Sequence, residues 1–201
     1  MKKKLVLVIA IVLVAVTACV MLVGCAPKNP SDFMEKWLNS NSKSFKLGEM
    51  EVSIYGNISY GVSKIGDNEY ISYTEIDGDN VITYSGVTVD GKTTWTKKTV
   101  TKAAMKEMLG LDKDFESLND ILMQQTGVSA DDLKDFEEKS TKKDGVYVGN
   151  EDTDWEGITI KLSSKEMVIT EGEGEGARVY TFTIGAKKIT IPQEAKDAKE
   201  M

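Results

Sequence analysis

Histidine is absent from this 201-residue chain, and cysteine occurs only twice, at Cys19 and Cys25. Without histidine the chain cannot form a Ser-His-Asp or Cys-His catalytic group, and it lacks a common zinc ligand. Both cysteines lie within the first 25 residues, so the rest of the chain has no thiol for a disulfide or a soft-metal site. We therefore expect no catalytic residues, no metal site and no cofactor, and we predict that the protein is not an enzyme.

Basic residues are also too few to balance the acidic ones. The chain has 25 Lys and Arg against 32 Asp and Glu, which gives a net charge of −7. An acidic protein is repelled by the phosphate backbone, whose attraction for basic residues supplies most non-specific affinity for nucleic acids. We therefore expect no binding to nucleic acid.

The longest hydrophobic run stands at the start of the chain. Three lysines follow Met1, and residues 5–23 contain no charged side chain. A short basic segment followed by an apolar core is typical of a secretory signal peptide. The run is also long enough to cross a bilayer as a helix, so an uncleaved membrane anchor is the alternative.

The residues that end this run, Leu22-Val23-Gly24-Cys25, resemble the lipobox of bacterial lipoproteins. Lipidation needs a thiol to accept the diacylglyceryl group, and small neighbours let the signal peptidase approach the bond between Gly24 and Cys25. Residues 16–19 also fit the pattern loosely, but cleavage before Cys19 would leave an apolar segment on the mature protein. Cys25 is therefore the predicted lipidation site.

Lipidation predicts how the chain is divided and where it resides. Residues 1–24 form the signal peptide, residues 25–31 form the lipidated cysteine and a short tether, and residues 32–198 form one domain. Cleavage would remove three lysines and no acid, changing the net charge from −7 to −10. Fatty-acyl chains such as palmitate on diacylglyceryl Cys25, rather than surface charge, would then hold the domain at the extracytoplasmic face of the cell membrane.

The first part of the domain shows the patterns of a helix and then a strand meander. Residues 31–38 combine an N-cap with apolar positions at helical spacing. Apolar residues alternate with polar ones over residues 52–62, which predicts a single strand with one apolar face. Turn-forming Asp-Gly pairs separate three further predicted strands, at residues 70–76, 81–89 and 93–96.

The pattern changes to helical spacing and then returns to alternation. Helices are predicted over residues 102–109 and 114–122, and Ser129 can cap a third. Residues 136–141 fit either an extension of that helix or a strand, and the turn residues that follow favour the strand. Later strands are predicted at residues 158–163, 167–170, 178–184 and 188–191, before a frayed tail at 195–201.

This order predicts an α+β fold with an antiparallel sheet, because no repeated βαβ unit occurs. Together with the lipobox and an Ile191-Pro192-x-x-Ala195 ending, it resembles the half-barrel envelope proteins. These include the periplasmic lipoprotein-localisation carrier and the lipid-binding lipoproteins of mycobacteria. The resemblance implies an open, curved antiparallel sheet of about nine to eleven strands, with an N-terminal helix and a central block of two or three helices. Its concave face would bind lipid or acyl chains.

Two functions follow as alternatives, and we expect a monomer in either case. The first is a membrane-anchored lipoprotein that binds or carries a lipid or another hydrophobic ligand. The second is a non-enzymatic interaction or structural module of the cell envelope, with a filled core and a protein partner. For the first, the candidate ligand-lining residues are apolar positions of the first strand and the central helices: Val52, Ile54, Ile58, Tyr60, Met105, Met108, Leu118 and Leu122.

Overall fold

The computed structural model describes residues 27–126 and 130–201, which form five α-helices and eleven strands. The elements follow one another along the chain as α1 (Pro30–Leu38), β1 (Ser42–Leu47), β2 (Met50–Tyr55), β3 (Ile58–Ile65), β4 (Asn68–Asp77), β5 (Asn80–Val89), β6 (Lys92–Thr101), α2 (Lys102–Leu109), α3 (Leu118–Thr126), α4 (Ala130–Glu138), β7 (Ser140–Lys143), β8 (Val146–Gly149), β9 (Ile158–Leu162), β10 (Glu166–Glu171), β11 (Arg178–Ile184) and α5 (Gln193–Lys196). None of the described helices is long and apolar enough to cross a membrane.

All eleven strands belong to one antiparallel sheet, in the order β6-β5-β4-β3-β2-β1-β11-β10-β9-β8-β7. Consecutive strands are neighbours, and the pairing of β1 with β11 joins the two meanders in the middle of the sheet. Strands β6 and β7 are the two edges, so the sheet is open. The predicted α+β class and open antiparallel sheet are therefore confirmed, with three central helices and a strand count at the upper end of the predicted range.

The prediction of one strand over residues 52–62 is wrong, because a tight hairpin interrupts it. Gly56, with a φ of 59°, and Asn57 turn the chain between β2 and β3. Ile54 lies directly opposite Ser59, so the two residues share a face of the sheet. Ile58, Tyr60 and Val62 of β3 therefore point to the opposite face from Val52 and Ile54 of β2, although the even spacing of these apolar residues continues across the turn in the sequence.

Two later predictions need correction. Of residues 136–141, favoured as a strand, only Ser140 and Thr141 are in one, at the start of β7. Residues 136–138 extend helix α4, the alternative, because Leu133 and Phe136 lie one helical turn apart and are both buried. The expected strand at residues 188–191 and the frayed tail are absent from the described structure. Instead, α5 packs on the sheet through Ala195, and a backbone bridge joins Glu200 to Lys97 of β6.

Helices α1 to α4 pack on one face of the sheet, which we call the helix face. Beneath α1 and α4 lies a first core cluster, which includes Phe33, Trp37, Phe136, Met167 and Phe182. A second cluster, beneath α2 and α3, includes Ile54, Val81, Met105, Phe115 and Leu118. Helix α5 packs on the opposite face of the sheet, where Ile191 and Ala195 form a third core cluster with Tyr84.

Candidate functional site

Half of the candidate lining residues meet inside the second core cluster. Ile54, Met105 and Leu118 are buried there, and the half-buried Leu122 packs against both core clusters. Side chains of α2 and α3 thus rest directly on the sheet. At this end of the helix face, the residues expected to line a ligand form an ordinary packed core.

The other four candidates lie elsewhere. Ile58 and Tyr60 are on the face opposite α1 to α4, where Ile58 packs against the cluster of Ala195 in α5 and the Tyr60 ring centroid lies 5.2 Å from that of Tyr73. Met108 is 60% exposed on α2, and Val52 is half-buried on the helix face. The structure therefore does not bring the eight residues together, because the hairpin at Gly56 divides the strand residues between two faces.

Beyond the second cluster, one end of the helix face carries exposed apolar side chains. Ile65 is 66% exposed, Tyr70 38% and Val89 49%. Tyr70 lies directly opposite Ser63 and Val87, so these three side chains are on the same face of the sheet, the helix face. Ile65 is two residues after Ser63 and Val89 is two residues after Val87, so both also point to the helix face. We call the surface of Ile65, Tyr70, Val87 and Val89 the open end.

The floor between the open end and the covered part of the sheet is made of small residues. Gly61, Ser72 and Ser85 lie directly opposite one another across β3, β4 and β5, in register with Val52 of β2. Ser85 is exposed. A Cβ atom on Gly61 would lie 2.8 Å from Ser72 Oγ, so alanine at that position would displace the Ser72 hydroxyl and raise the surface of the floor.

The floor and the open end together form a surface without a carboxylate, in which four apolar side chains stand beside Ser63, Asn68 and the serines of the floor. Its only titratable side chain is that of Tyr70, and Lys92 stands at its rim, directly opposite Val89. Such a surface favours an apolar chain over a charged ligand. Within the described ranges no cluster of three or more Asp, Glu, His or Cys could hold a metal ion.

Lys43 is a residue of interest that the sequence did not indicate. Its side chain is fully buried on the helix face, where Nζ donates hydrogen bonds to the Leu38 carbonyl oxygen at 2.7 Å and to Asn119 Oδ1. Nζ also lies 4.9 Å from the Trp37 ring centroid. Burial lowers the pKa of the Lys43 amine from 10.5 to about 7.

This lysine joins elements and does not reach a ligand. It connects α1, β1 and α3 between the two core clusters, and the described residues place no carboxylate in an ion pair with it. A fully buried amine is inaccessible to a substrate, so we assign Lys43 a positioning role. No sequence pattern indicated it, since Lys43 stands between two serines in a polar segment.

The predicted signal peptide and Cys25 lie outside the described residues, so lipidation stays a prediction. Comparisons with protein-family models, with curated proteins and with solved structures found no match to this chain.

Proposed function

We propose that this protein is a membrane-anchored, extracytoplasmic lipoprotein without enzymatic activity, and that it binds an acyl chain of a lipid or a similar hydrophobic ligand. The binding surface is the floor of small residues together with the open end. The observation that carries the proposal is the exposure of Ile65, Tyr70 and Val89 on the face that the helices otherwise cover. Contiguous exposed apolar surface of this kind is typical of binding sites.

The dimensions of the floor suit a chain-like ligand. From Val52 on β2 to Ser85 on β5 the floor crosses three strand intervals, a distance of about 14 Å at the usual strand spacing. Burying about eight methylene groups at ~0.8 kcal/mol each would contribute about 6 kcal/mol. The cost of association offsets much of this gain, so the affinity should be modest, as suits a carrier that must release its ligand.

The predicted tether would keep this surface near a supply of lipid. Helix α1 begins at Pro30, five residues after Cys25, and five extended residues reach about 17 Å. Diacylglyceryl Cys25 would therefore hold the domain close to the membrane without help from surface charge.

A pair of matched substitutions tests the proposed surface. Val89 lies at the open end, whereas Val179 lies on the opposite face of β11 with nearly the same exposure, 49% against 45%. The binding assay uses a fluorescent sixteen-carbon fatty acid as the probe and the protein from residue 26 onward. We expect V89E to weaken binding by about tenfold or more, because a carboxylate replaces apolar contact area. V179E should leave the affinity unchanged, and equal effects of the two substitutions would refute the assignment.

The second candidate is the interaction or structural module of the cell envelope with a protein partner. The burial of Met105, Leu118 and Ile54 in one core cluster favours it, because the core beneath α2 and α3 is filled. If this function holds alone, the unmodified domain will show no saturable binding of the fatty acid.

A further inference from the structure

Strand β6 forms a long edge of the sheet. It has ten residues and pairs with β5 on one side, whereas β7 at the other edge has only four residues, two of them lysines. A short charged edge is protected against pairing with other chains. A long edge presents unpaired backbone groups, to which another extended segment can add.

Residues 199–201 already occupy the middle of this edge through one isolated parallel bridge between Glu200 and Lys97. The Lys97 N–H group donates to the Lys199 carbonyl oxygen at 3.1 Å, and the Met201 N–H group donates to the Lys97 carbonyl oxygen at 2.9 Å. The Glu200 carboxylate accepts a hydrogen bond from the Thr99 N–H group at 2.6 Å and lies 3.8 Å from Lys97 Nζ. The edge therefore already holds a short backbone segment that brings a carboxylate.

The occupied part is only half of the edge. Backbone groups of alternate residues point to the same side of a strand. The backbone N–H and C=O groups of Thr93 and Trp95 therefore point away from β5, as those of Lys97 do. No described residue accepts a hydrogen bond from the backbone N–H of Thr93 or Trp95. A longer segment could therefore continue along β6 past Lys199.

Charge indicates the chemistry of that segment. Strand β6 contains Lys92, Lys97 and Lys98 and no acid, on a protein whose net charge is negative. The described residues give Lys92 and Lys98 no ion-pair partner. Pairing of β6 with β6 of a second copy would bring like charges together, which is unfavourable. An extended acidic segment is complementary to the edge.

We propose that the β6 edge is a strand-addition site for an extended acidic segment of a partner protein, and that residues 199–201 are an internal occupant which this segment displaces. Main-chain hydrogen bonds to Thr93, Trp95 and Lys97 would supply affinity, and the lysines would select acidic side chains. The inference does not depend on the open end, which is a different surface.

Peptide binding to the protein from residue 26 onward tests this inference. The probes are an N-acetylated octapeptide amide of alternating Glu and Val and a matched octapeptide in which Lys replaces Glu. Binding is followed by the change in tryptophan fluorescence, to which Trp95 of the edge contributes beside the buried Trp37 and Trp155. Glu200→Ala removes the internal carboxylate, so it should raise the affinity for the acidic peptide by about fivefold. That affinity should fall with added salt, and the lysine peptide should not bind.

A second substitution tests the backbone contacts. Thr93→Pro removes an outward N–H group, and proline is tolerated on an edge strand where that group faces solvent. Added to E200A, it should reverse the gain in affinity, whereas Thr93→Val, which loses the same hydroxyl hydrogen bond to Thr88 but keeps the N–H group, should retain the gain. Equal affinity for both peptides, or no gain with E200A, would overturn the proposal. Dimerisation of E200A without peptide would also overturn it, in favour of a second copy as the occupant.

Discussion

Lys43→Met tests how the buried amine shapes stability. The Lys43 pKa is about 7 in the folded protein and near 10.5 once the chain unfolds. Between these values the unfolded chain binds more protons than the folded one. Stability therefore rises with pH across this window and is reduced below it, where the folded state must hold a buried charge.

The magnitude follows from the two pKa values. Raising the pH from 7 to 9 should stabilise the unmodified protein by about 2 kcal/mol through Lys43 alone. Methionine at this position cannot titrate, so Lys43→Met should remove that gain. The substitution leaves Asn119 Oδ1 and the Leu38 carbonyl oxygen without their donor, at a cost of about 1–3 kcal/mol. At pH 7, relief from burying a charge offsets much of this cost.

Urea unfolding at pH 7 and pH 9 measures the effect. Lys46→Met is the matched control, because Lys46 is exposed on the same strand and points to the opposite face. We expect the control to keep the gain with pH and Lys43→Met to lose it. Equal pH dependence in the two variants would refute the reasoning. The range ends at pH 9 because burial and hydrogen bonding to Glu75 raise the pKa of Tyr84, a tyrosine that affects stability at higher pH.

Three further outcomes are expected. Cys25→Ser should move the protein from the membrane fraction to the soluble fraction after detergent-free lysis, without a change in the domain's melting temperature. Gly149→Ala should lower the free energy of unfolding by roughly 2 kcal/mol or more, because its Cβ atom would collide with the Trp155 carbonyl oxygen. Gly176→Ala should be nearly neutral, because no atom lies near its Cβ position. Phe136→Ala should cost about 3–5 kcal/mol in urea unfolding, because it empties a fully buried site.

Local chemistry made much of the fold predictable from the sequence. Thr101 caps α2 through a hydrogen bond that its side chain accepts from the Ala104 N–H group, and Gly110 ends the helix in a left-handed conformation. Asp90 and Gly91 both have positive φ between β5 and β6, as a tight hairpin of this type requires. Such features act over a few residues, so a single sequence is enough to recognise them.

The features that failed depend on distant contacts. Strand β1 was missed because its segment Ser42–Leu47 is mostly Ser and Lys, and it is a strand because β2 and β11 pair with it on both sides. The open end was also missed. Ile65, Tyr70 and Val89 alternate like any buried strand residues, and their exposure follows only from where α2 and α3 lie on the sheet.

Native mass spectrometry of residues 26–201, produced without the lipid anchor, tests most directly whether the domain binds a hydrophobic ligand. The proposed function predicts a lipid adduct of defined stoichiometry that disappears on solvent extraction and returns when envelope lipids are added. V89E should fail to regain the adduct, and V179E should regain it. A bare protein mass before and after incubation with envelope lipids would contradict the proposal and leave the envelope interaction module as the function.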